Sequence, residues 1–308
     1  MKLSILTPSY NRANLLPKLY ESLLKNQQNS PNFDYEWLIM DDGSQDQTRE
    51  IVEEWVKEGK VRVRYYWQEN QGKAKAINHL MEYATGNYVM DCDSDDFFVP
   101  DAFEQIKKIV PELEKDETIY GGIFLKRDEQ GKISGNLFPQ NGYRSTMYDL
   151  YFKEDIQGEK MIVFKTKIRR QYHHEVEERE KFITEARMYH KMDEKYRVFC
   201  WNIPLIQGDY LQDGYTSNIT NIFLKNPKGY YEYFKEALNH TNEKGILFSK
   251  KLYLIKHYLL FAYLSHQKNV IKNVKGAGNK LWVTGLYIPA YLSSARYQKR
   301  YSEIKLTK

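Results

Sequence analysis

The chain has 308 residues, of which 42% are hydrophobic and 28% charged, with 26 tyrosines and a net charge of +5. This composition excludes a disordered chain, and the length suffices to bury roughly 75% of the unfolded surface. Two cysteines, Cys92 and Cys200, exclude a disulfide framework and fit a reducing compartment.

Residues 3–8 form a short β-prone run that opens without an apolar leader. Residues 14–28 follow, with Leu15, Leu16, Leu19, Leu23 and Leu24 near helical spacing. A second apolar run, 35–40, ends in Asp41-Asp42-Gly43-Ser44, and 48–56 read as a helix capped by Ser44 or Asp46. Residues 61–67 alternate as a strand, 73–84 are helical, and 87–90 form a fourth strand entering Asp91-Cys92-Asp93-Ser94-Asp95-Asp96. Such alternation predicts an α/β fold: a Rossmann-like, mostly parallel sheet flanked by helices. Ligands then sit off the carboxyl ends of the strands. Beyond Pro100 a helix is expected at 103–113 and another at 182–192. Strands are expected at 119–126, 132–138, 160–164 and 197–207. From about residue 218 the chain turns helical, basic and Tyr-rich, so the expected division is 1–217 and 218–308.

The strand ends carry the chemistry. The first ends in Thr7-Pro8-Ser9-Tyr10-Asn11-Arg12, the second in the Asp-Asp-Gly-Ser turn, the fourth in the acidic run. Neither GxGxxG nor GxxxxGK[ST] occurs there, which argues against a nicotinamide enzyme and a P-loop NTPase. Four carboxylates in six residues, Asp91, Asp93, Asp95 and Asp96, raise one another's pKa unless a cation shares them. A small set of hard oxygens suits Mg²⁺ or Mn²⁺, with waters and phosphates completing the shell. Alternatively, some of them cap the helix after Pro100, or Asp95 or Asp96 opens a turn.

These blocks, with Asn70-Gln71-Gly72-Lys73 and Asn78 between them, resemble the family 2 glycosyltransferases of the A-type, nucleotide-sugar-binding fold. The resemblance spans the first two-thirds of the chain and makes 1–99 the nucleotide-sugar-binding half and 100–217 the acceptor-side half. It implies that Pro8 and Tyr10 bracket the nucleobase and that Arg12 lies near the diphosphate or the base pocket. Asp42 would accept the base N–H. Asn70 and Lys73 would line the donor pocket, with Lys73 charging the phosphates. Asp95 would bind Mn²⁺ or Mg²⁺ directly, and Asp93 would share that Asp-x-Asp element and contact ribose or sugar hydroxyls. A diphosphate leaving group needs such a cation.

Inverting members place a general base at the start of a helix after the acceptor-side strands. Lys181-Phe182-Ile183-Thr184-Glu185-Ala186 occupies that place, so Glu185 is the expected catalytic base; the alternative is a first-turn acid favouring the helix dipole. The preceding Glu175, Glu177, Glu178 and Glu180 read as a solvated charged run. His173-His174 is unsuited to a metal, because adjacent side chains point apart. The family's downstream His ligand has no match in 210–217, where Asp213 could substitute. Trp201 and Tyr210 could stack on an acceptor sugar or belong to the core.

The charge is uneven: 16 basic and four acidic residues after Leu224 give about +12, against about −7 for the rest. The C-terminal basic residues interleave with Trp282, Tyr287, Tyr291, Tyr297 and Tyr301, a pattern of peripheral membrane contact, a lid or a dimer surface. The most apolar stretch, 252–264, is shorter than the roughly 20 residues a bilayer needs and contains Lys256 and His257. No nucleic-acid motif accompanies the basic surface.

The expected activity is metal-dependent inverting transfer of a sugar from a nucleotide-sugar donor, a UDP-sugar, to a carbohydrate or lipid-linked acceptor in cell-surface polysaccharide synthesis. The expected location is cytoplasmic, with peripheral contact at the inner membrane face. The alternatives are a non-catalytic transferase-like binding module at a membrane and a nucleotidyltransferase on a related fold.

Overall fold

The computed structural model describes residues 1–209, 219–240 and 244–306, with side chains to residue 299. The elements run β1 (Lys2–Ser9), α1 (Leu16–Asn29), β2 (Asp34–Asp41), α2 (Thr48–Glu58), β3 (Val63–Trp67), α3 (Lys73–Tyr83), β4 (Tyr88–Asp91) and β5 (Phe97–Phe98). They continue through α4 (Ala102–Glu114), β6 (Ile119–Arg127), β7 (Tyr143–Ser145), α5 (Met147–Phe152), β8 (Lys160–Lys165), α6 (Thr166–Arg169), α7 (Ala186–Asp193) and β9 (Arg197–Gln207). The helices α8 (Ile219–Lys225), α9 (Pro227–Leu238), α10 (Phe248–Leu264) and α11 (Ala277–Leu306) follow.

Strand β1 is buried along nearly its whole length because both of its faces are covered, so it reads as a continuous apolar run. Its alternate residues feed two cores. Leu3 and Ile5 join Leu19 of α1, Trp55 of α2 and Phe103 of α4 on one side. Leu6 joins Ile77 of α3 and Met188 and Met192 of α7 on the other. The sheet order is β3-β2-β1-β4-β8-β6-β9-β5, with β7 on β9. The pairs β1–β2, β2–β3 and β1–β4 are parallel, as the strand–helix alternation predicts. The other half is mixed, since β8 runs antiparallel to both β4 and β6. Register sets the rim: Ser9 faces Asp41 and Asp41 faces Trp67, while Asp91 lies beside Leu6. A third core, with Tyr231, Phe234, Tyr258 and Phe261, joins α9 and α10 to Tyr148 and Phe152 of α5.

Several expectations shift. Residues 132–138 are not a strand; only Ile133 bridges to Arg127. Gly135 has φ +77°, and a Cβ there would lie 2.1 Å from the Gln157 carbonyl, so the segment bends onto 157–158. The helix expected from residue 182 starts at Ala186, because the Lys181 and Phe182 N–H groups donate to Asn226 Oδ1 at 3.0 Å instead. Ser44 does not cap α2; its Oγ accepts the Asn11 N–H, while Asp46 accepts those of Thr48 and Ala13. The short β5, β7, α5 and α6 carry too few residues for periodicity to register.

Glu36 on β2 is buried and accepts from Ser4 Oγ at 2.7 Å, Thr85 N at 2.7 Å and Lys2 Nζ at 3.0 Å. Burial alone would raise its pKa; these donors override it and hold the carboxyl at about 2. The folded value lies below the unfolded one, so the contribution is present above about pH 4.5 and lost as pH falls from there toward 2. By linkage it amounts to ~3 kcal/mol. Glu36→Gln is expected to lower the thermal midpoint at pH 7 and to flatten the stability loss between pH 5 and 2; chemical denaturation across that range measures both.

Candidate active site

The parallel register delivers the carboxyl ends of β1, β2 and β3 to one rim, with the end of β4 set back beside Leu6. The chain leaves β4 in a turn, with the Asp96 N–H on the Asp93 carbonyl at 3.1 Å. From this turn Asp93, Asp95 and Asp96 line a cavity of about 860 Å³, together with Asp91, Lys73, Lys126 and Glu185. Asp101 at the start of α4 makes no side-chain cap, and neither Asp95 nor Asp96 stands at a helix end. The turn thus opens at Asp93 rather than at Asp95 or Asp96, and the capping reading does not hold.

Lys73, the first residue of α3, ties the cavity together. Its Nζ lies 2.7 Å from Asp93 Oδ1 and 2.8 Å from Glu185 Oε1. Burial opposes the charge on Lys73, but the two carboxylates override it and raise its pKa well above the usual range. Burial likewise works against an ionised Glu185; Lys73 and the Tyr189 hydroxyl, which donates to Oε2 at 3.0 Å, win and lower its pKa. Glu185 stands at the N-cap position of α7 without a capping hydrogen bond, and its carboxylate lines the cavity. Lys126 plays the matching part on the far wall, 2.8 Å from Asp96 Oδ1 and 2.6 Å from Glu159 Oε2. Among the described residues Asp91 has no ion-pair partner, and both of its carboxylate oxygens are buried without a hydrogen bond; burial pushes its pKa up to about 6. Burial and the Asp93 charge push Asp95 up as well.

The loop before α3 is held by Asp42. Its Oδ1 accepts from Gln68 Nε2 at 2.6 Å and Gln71 N at 2.8 Å, and its Oδ2 from Gly72 N at 2.8 Å. Gly72 has φ +94°, and a Cβ there would stand 1.9 Å from the Lys181 carbonyl, so only glycine lets 181–185 lie against this loop. Asn70 secures the same contact, its Oδ1 accepting from Lys181 Nζ at 2.7 Å. Asp41 is spent in parallel on Ser44 N and Tyr65 OH, both at 2.7 Å.

A family model described as "Glycosyl transferase family 2" matches residues 4–175. The chain belongs to this family. An uncharacterized glycosyltransferase of Rickettsia felis is 35% identical over 45% of this chain and 23% of its own length. The Staphylococcus aureus poly(ribitol-phosphate) beta-N-acetylglucosaminyltransferase TarS is 26% identical over 54% of this chain and 32% of its own length. The matched stretches thus span well under half of these relatives. Among solved structures, S. aureus TarS 1-349 in complex with UDP-GlcNAc superposes at TM-score 0.62 and 16% identity, covering 97% of this chain and 92% of that chain. The mannosyltransferase PcManGT from Pyrobaculum calidifontis, in complex with GDP-Man and Mn²⁺, superposes at 0.55 and 16% identity, covering 96% and 84%. Both share the fold of this family 2 chain: a mixed α/β sheet flanked by helices, with further helices at the C-terminus.

Lys73, Asp93, Asp95 and Glu185, four of the residues expected from sequence, meet on the one cavity. Pro8, Tyr10, Arg12, Asp42 and Asn70 do not line it; they form the adjoining rim. Pro8 is buried, Tyr10 is 46% exposed, and Arg12 is half-buried with its N–H on Thr48 Oγ1 at 3.3 Å. Asp42, expected on a nucleobase N–H, is buried and accepts three hydrogen bonds from the loop. Trp201 is core, stacked on Phe124 at 5.5 Å, so it is no acceptor platform. Tyr210 and Asp213 lie outside the described residues. Glu180 is not solvated: it is buried and accepts the Lys228 and Gly229 N–H groups at 2.7 and 2.8 Å, capping α9. Glu175 pairs with Arg187 and Lys191, and Glu177 with Lys228. Sequence reading missed Lys126 and Tyr189. Lys126 sits near the end of β6, where the strand-end rule applies; Tyr189 is one helical turn beyond Glu185.

Lys73→Met would remove the cation shared by Asp93 and Glu185. The stability is expected to fall, by less than the roughly 3–5 kcal/mol of a fully buried pair because the two carboxylate side chains are 41% and 34% exposed. Urea denaturation checks this, and an unchanged midpoint would show that solvent already satisfies both carboxylates.

Proposed function

We propose that the chain is a metal-dependent inverting glycosyltransferase. It moves a sugar from a nucleotide-sugar donor, a UDP-sugar, to a carbohydrate or lipid-linked acceptor in cell-surface polysaccharide synthesis. The observation that carries this reading is the meeting of Lys73, Asp93, Asp95 and Glu185 on one cavity at the strand ends. Family membership supports it, as do the UDP-GlcNAc and the GDP-Man with Mn²⁺ bound by the two superposed structures.

The residues present fit a divalent cation as a partial shell. Asp95 and Asp93 offer hard oxygens, and the orphaned oxygens of Asp91 behind them mark a cavity short of positive charge. Among the described residues no three His, Cys, Asp or Glu side chains gather as a full ligand set, so phosphates and water complete the shell. Mn²⁺ or Mg²⁺ held by Asp95 and Asp93 would neutralise charge on the diphosphate. Pro8, Tyr10 and Arg12 on the rim receive the nucleotide, and Asp93 also meets its ribose or sugar hydroxyls. Lys73 turns toward the phosphates, which loosens its hold on Glu185 and restores basicity there. Glu185, ionised and held at Oε2 by Tyr189, takes the proton of the acceptor hydroxyl. The acceptor oxygen bonds to the anomeric carbon as the bond from that carbon to the phosphate oxygen breaks, and the nucleoside diphosphate leaves. Asp42 and Asn70 act at one remove, fixing the loop that aims Lys73. The free, buried thiols Cys92 and Cys200 agree with a cytoplasmic setting.

Calorimetry with UDP tests the donor side. Affinity is expected to rise with Mn²⁺ over EDTA, and Asp95→Asn to remove most of that gain. Equal affinity with and without metal would overturn the metal assignment. Glu185→Gln is expected to keep UDP binding and to lower transfer by roughly 10²–10⁴-fold. A binding module would release no UDP from any nucleotide sugar even in the unaltered chain.

The C-terminal surface supports a second element of the proposal, peripheral membrane contact. No helix among the described residues is long and apolar enough to cross a membrane. On α11, however, Leu281, Ile288 and Leu292 are 74%, 70% and 57% exposed along one stripe, with Trp282 beside them. Lys280, Arg296 and Lys299 flank it. Sedimentation with anionic vesicles at low salt, weakened by salt and by Ile288→Ser with Leu292→Ser, is expected; no sedimentation would leave the lid or dimer readings.

A further inference from the structure

Glu185 stands at the end of a strap, residues 172–185, that joins α6 to α7 with neither helix nor strand. On one side the strap is tied to α3 and the loop before it. Lys181 lies on Gly72 and donates to Asn70, and Asn78 of α3 exchanges two hydrogen bonds of 2.9 Å with the His174 backbone.

The other side is tied to α9, where three contacts bracket Glu185. Asn226, at the N-cap position of α9, accepts the Lys181 and Phe182 N–H groups at Oδ1, both at 3.0 Å. Glu180 accepts the Lys228 and Gly229 N–H groups, and a Cβ on Gly229 would stand 2.9 Å from Glu180 Oε2. Arg187, two residues past Glu185, meets Glu236 in the last turn of α9 through a fork: Nε to Oε2 at 2.9 Å and Nη2 to Oε1 at 2.8 Å. All of α9 lies beyond residues 4–175, so this second clamp comes from outside the stretch that matches the family model.

The fork constrains the base most directly. Arg187 is 6% exposed, and it does not line the cavity that holds Glu185. Two parallel hydrogen bonds between a guanidinium and a carboxylate fix distance and angle together, which a single contact does not. Arg187 also lies near Glu175, with Nη2 3.1 Å from Oε2, but Glu175 belongs to the strap and cannot tie it to α9. Arg187 is the second residue of α7, so the fork sets the place and rotation of the turn from which the Glu185 carboxylate reaches Lys73. A general base must lie within hydrogen-bond reach of the proton it takes, and a misplacement of about 1 Å lowers rate by about 10²-fold. When Lys73 turns toward the phosphates, the fork is a restraint that remains.

We propose that Arg187 and Glu236 are positioning residues for the catalytic base: through their fork the C-terminal helices set where Glu185 stands, without touching substrate. The assignment rests on the transferase reading and adds to it the residues that hold its base in place.

The test is Glu236→Ala in the full chain, beside Glu185→Gln and the double variant. Release of nucleoside diphosphate from a panel of UDP- and GDP-sugars with Mn²⁺ is followed well below each thermal midpoint, and UDP affinity is measured by calorimetry. Glu236→Ala is expected to lower kcat by about 10- to 10²-fold and to leave UDP affinity and the donor KM unchanged. In the Glu185→Gln background the same substitution is expected to take nothing further, since an absent base cannot be misplaced. A merely structural pair would lower the residual rate of Glu185→Gln by the same factor. Should Glu236→Ala not fold, Glu236→Gln, which keeps an oxygen for one arm of the fork, is read in its place, with a smaller loss and the same absence of effect on Glu185→Gln. An unchanged kcat in the variant that folds, a weakened UDP affinity, or losses that multiply in the double variant would each overturn the proposal. No diphosphate release by the unaltered chain would count against the transferase reading and this proposal with it. Release that Glu236→Ala leaves unchanged counts against the positioning role alone.

Discussion

The contact on which the site depends is the pairing of Lys73 Nζ with Asp93 and Glu185 at 2.7 and 2.8 Å. It joins three segments distant in sequence: the start of α3, the turn after β4 and the start of α7. Among the described residues, eight carboxylates line one cavity, Asp91, Asp93, Asp95, Asp96 and Glu185 among them, against four lysines, of which Lys73 and Lys126 pair with this acidic group. Without Lys73 the repulsion would push these elements apart or protonate part of the set. The same shortage of positive charge suits the cavity to a cation and to whatever brings one.

Lys73 is aimed by the loop before α3 and by what docks on that loop. Asp42 gathers the Gln71 and Gly72 N–H groups, Gly72 lets residues 181–185 approach, and Asn70 takes hold of Lys181. The shape of this loop bears on the site because a shift of α3 moves the ammonium off both carboxylates. The same economy appears at Glu180, which caps α9 and so fixes the C-terminal helices to the segment that carries Glu185.

That anchoring gives the C-terminal helices a part in the cavity. Through the third core, α9 and α10 pack on Tyr148 and Phe152, and in doing so bring Tyr233 and Tyr253 to the cavity wall. Of its aromatic residues, Tyr231, Phe234, Tyr258 and Phe261 fill the third core, Tyr233 and Tyr253 line the cavity, and Phe248, Trp282, Tyr287 and Tyr291 are exposed. Exposed apolar residues collect separately on α11.

The sequence by itself determined the parallel half of the sheet, the strand-end location of the site and the residue types there. Those depend on period and spacing: β1 to β4 alternate with helices of ordinary length, and Asp93-Ser94-Asp95 follows a strand directly. It also marked Glu185, through its place in a family-like block. It could not show that Lys73 would meet Asp93 and Glu185, since 20 and 112 residues separate them and only the docking of 181–185 on Gly72 closes the distance. Nor could it show that Asp42 would be consumed by a loop, Trp201 by the core or Glu180 by a helix start. Each of these polar or aromatic groups has a plausible role at the surface, and burial chose another. Tertiary packing decides such cases because an unpaired buried charge costs more than almost any local preference, so side chains take whichever partner the fold brings within reach.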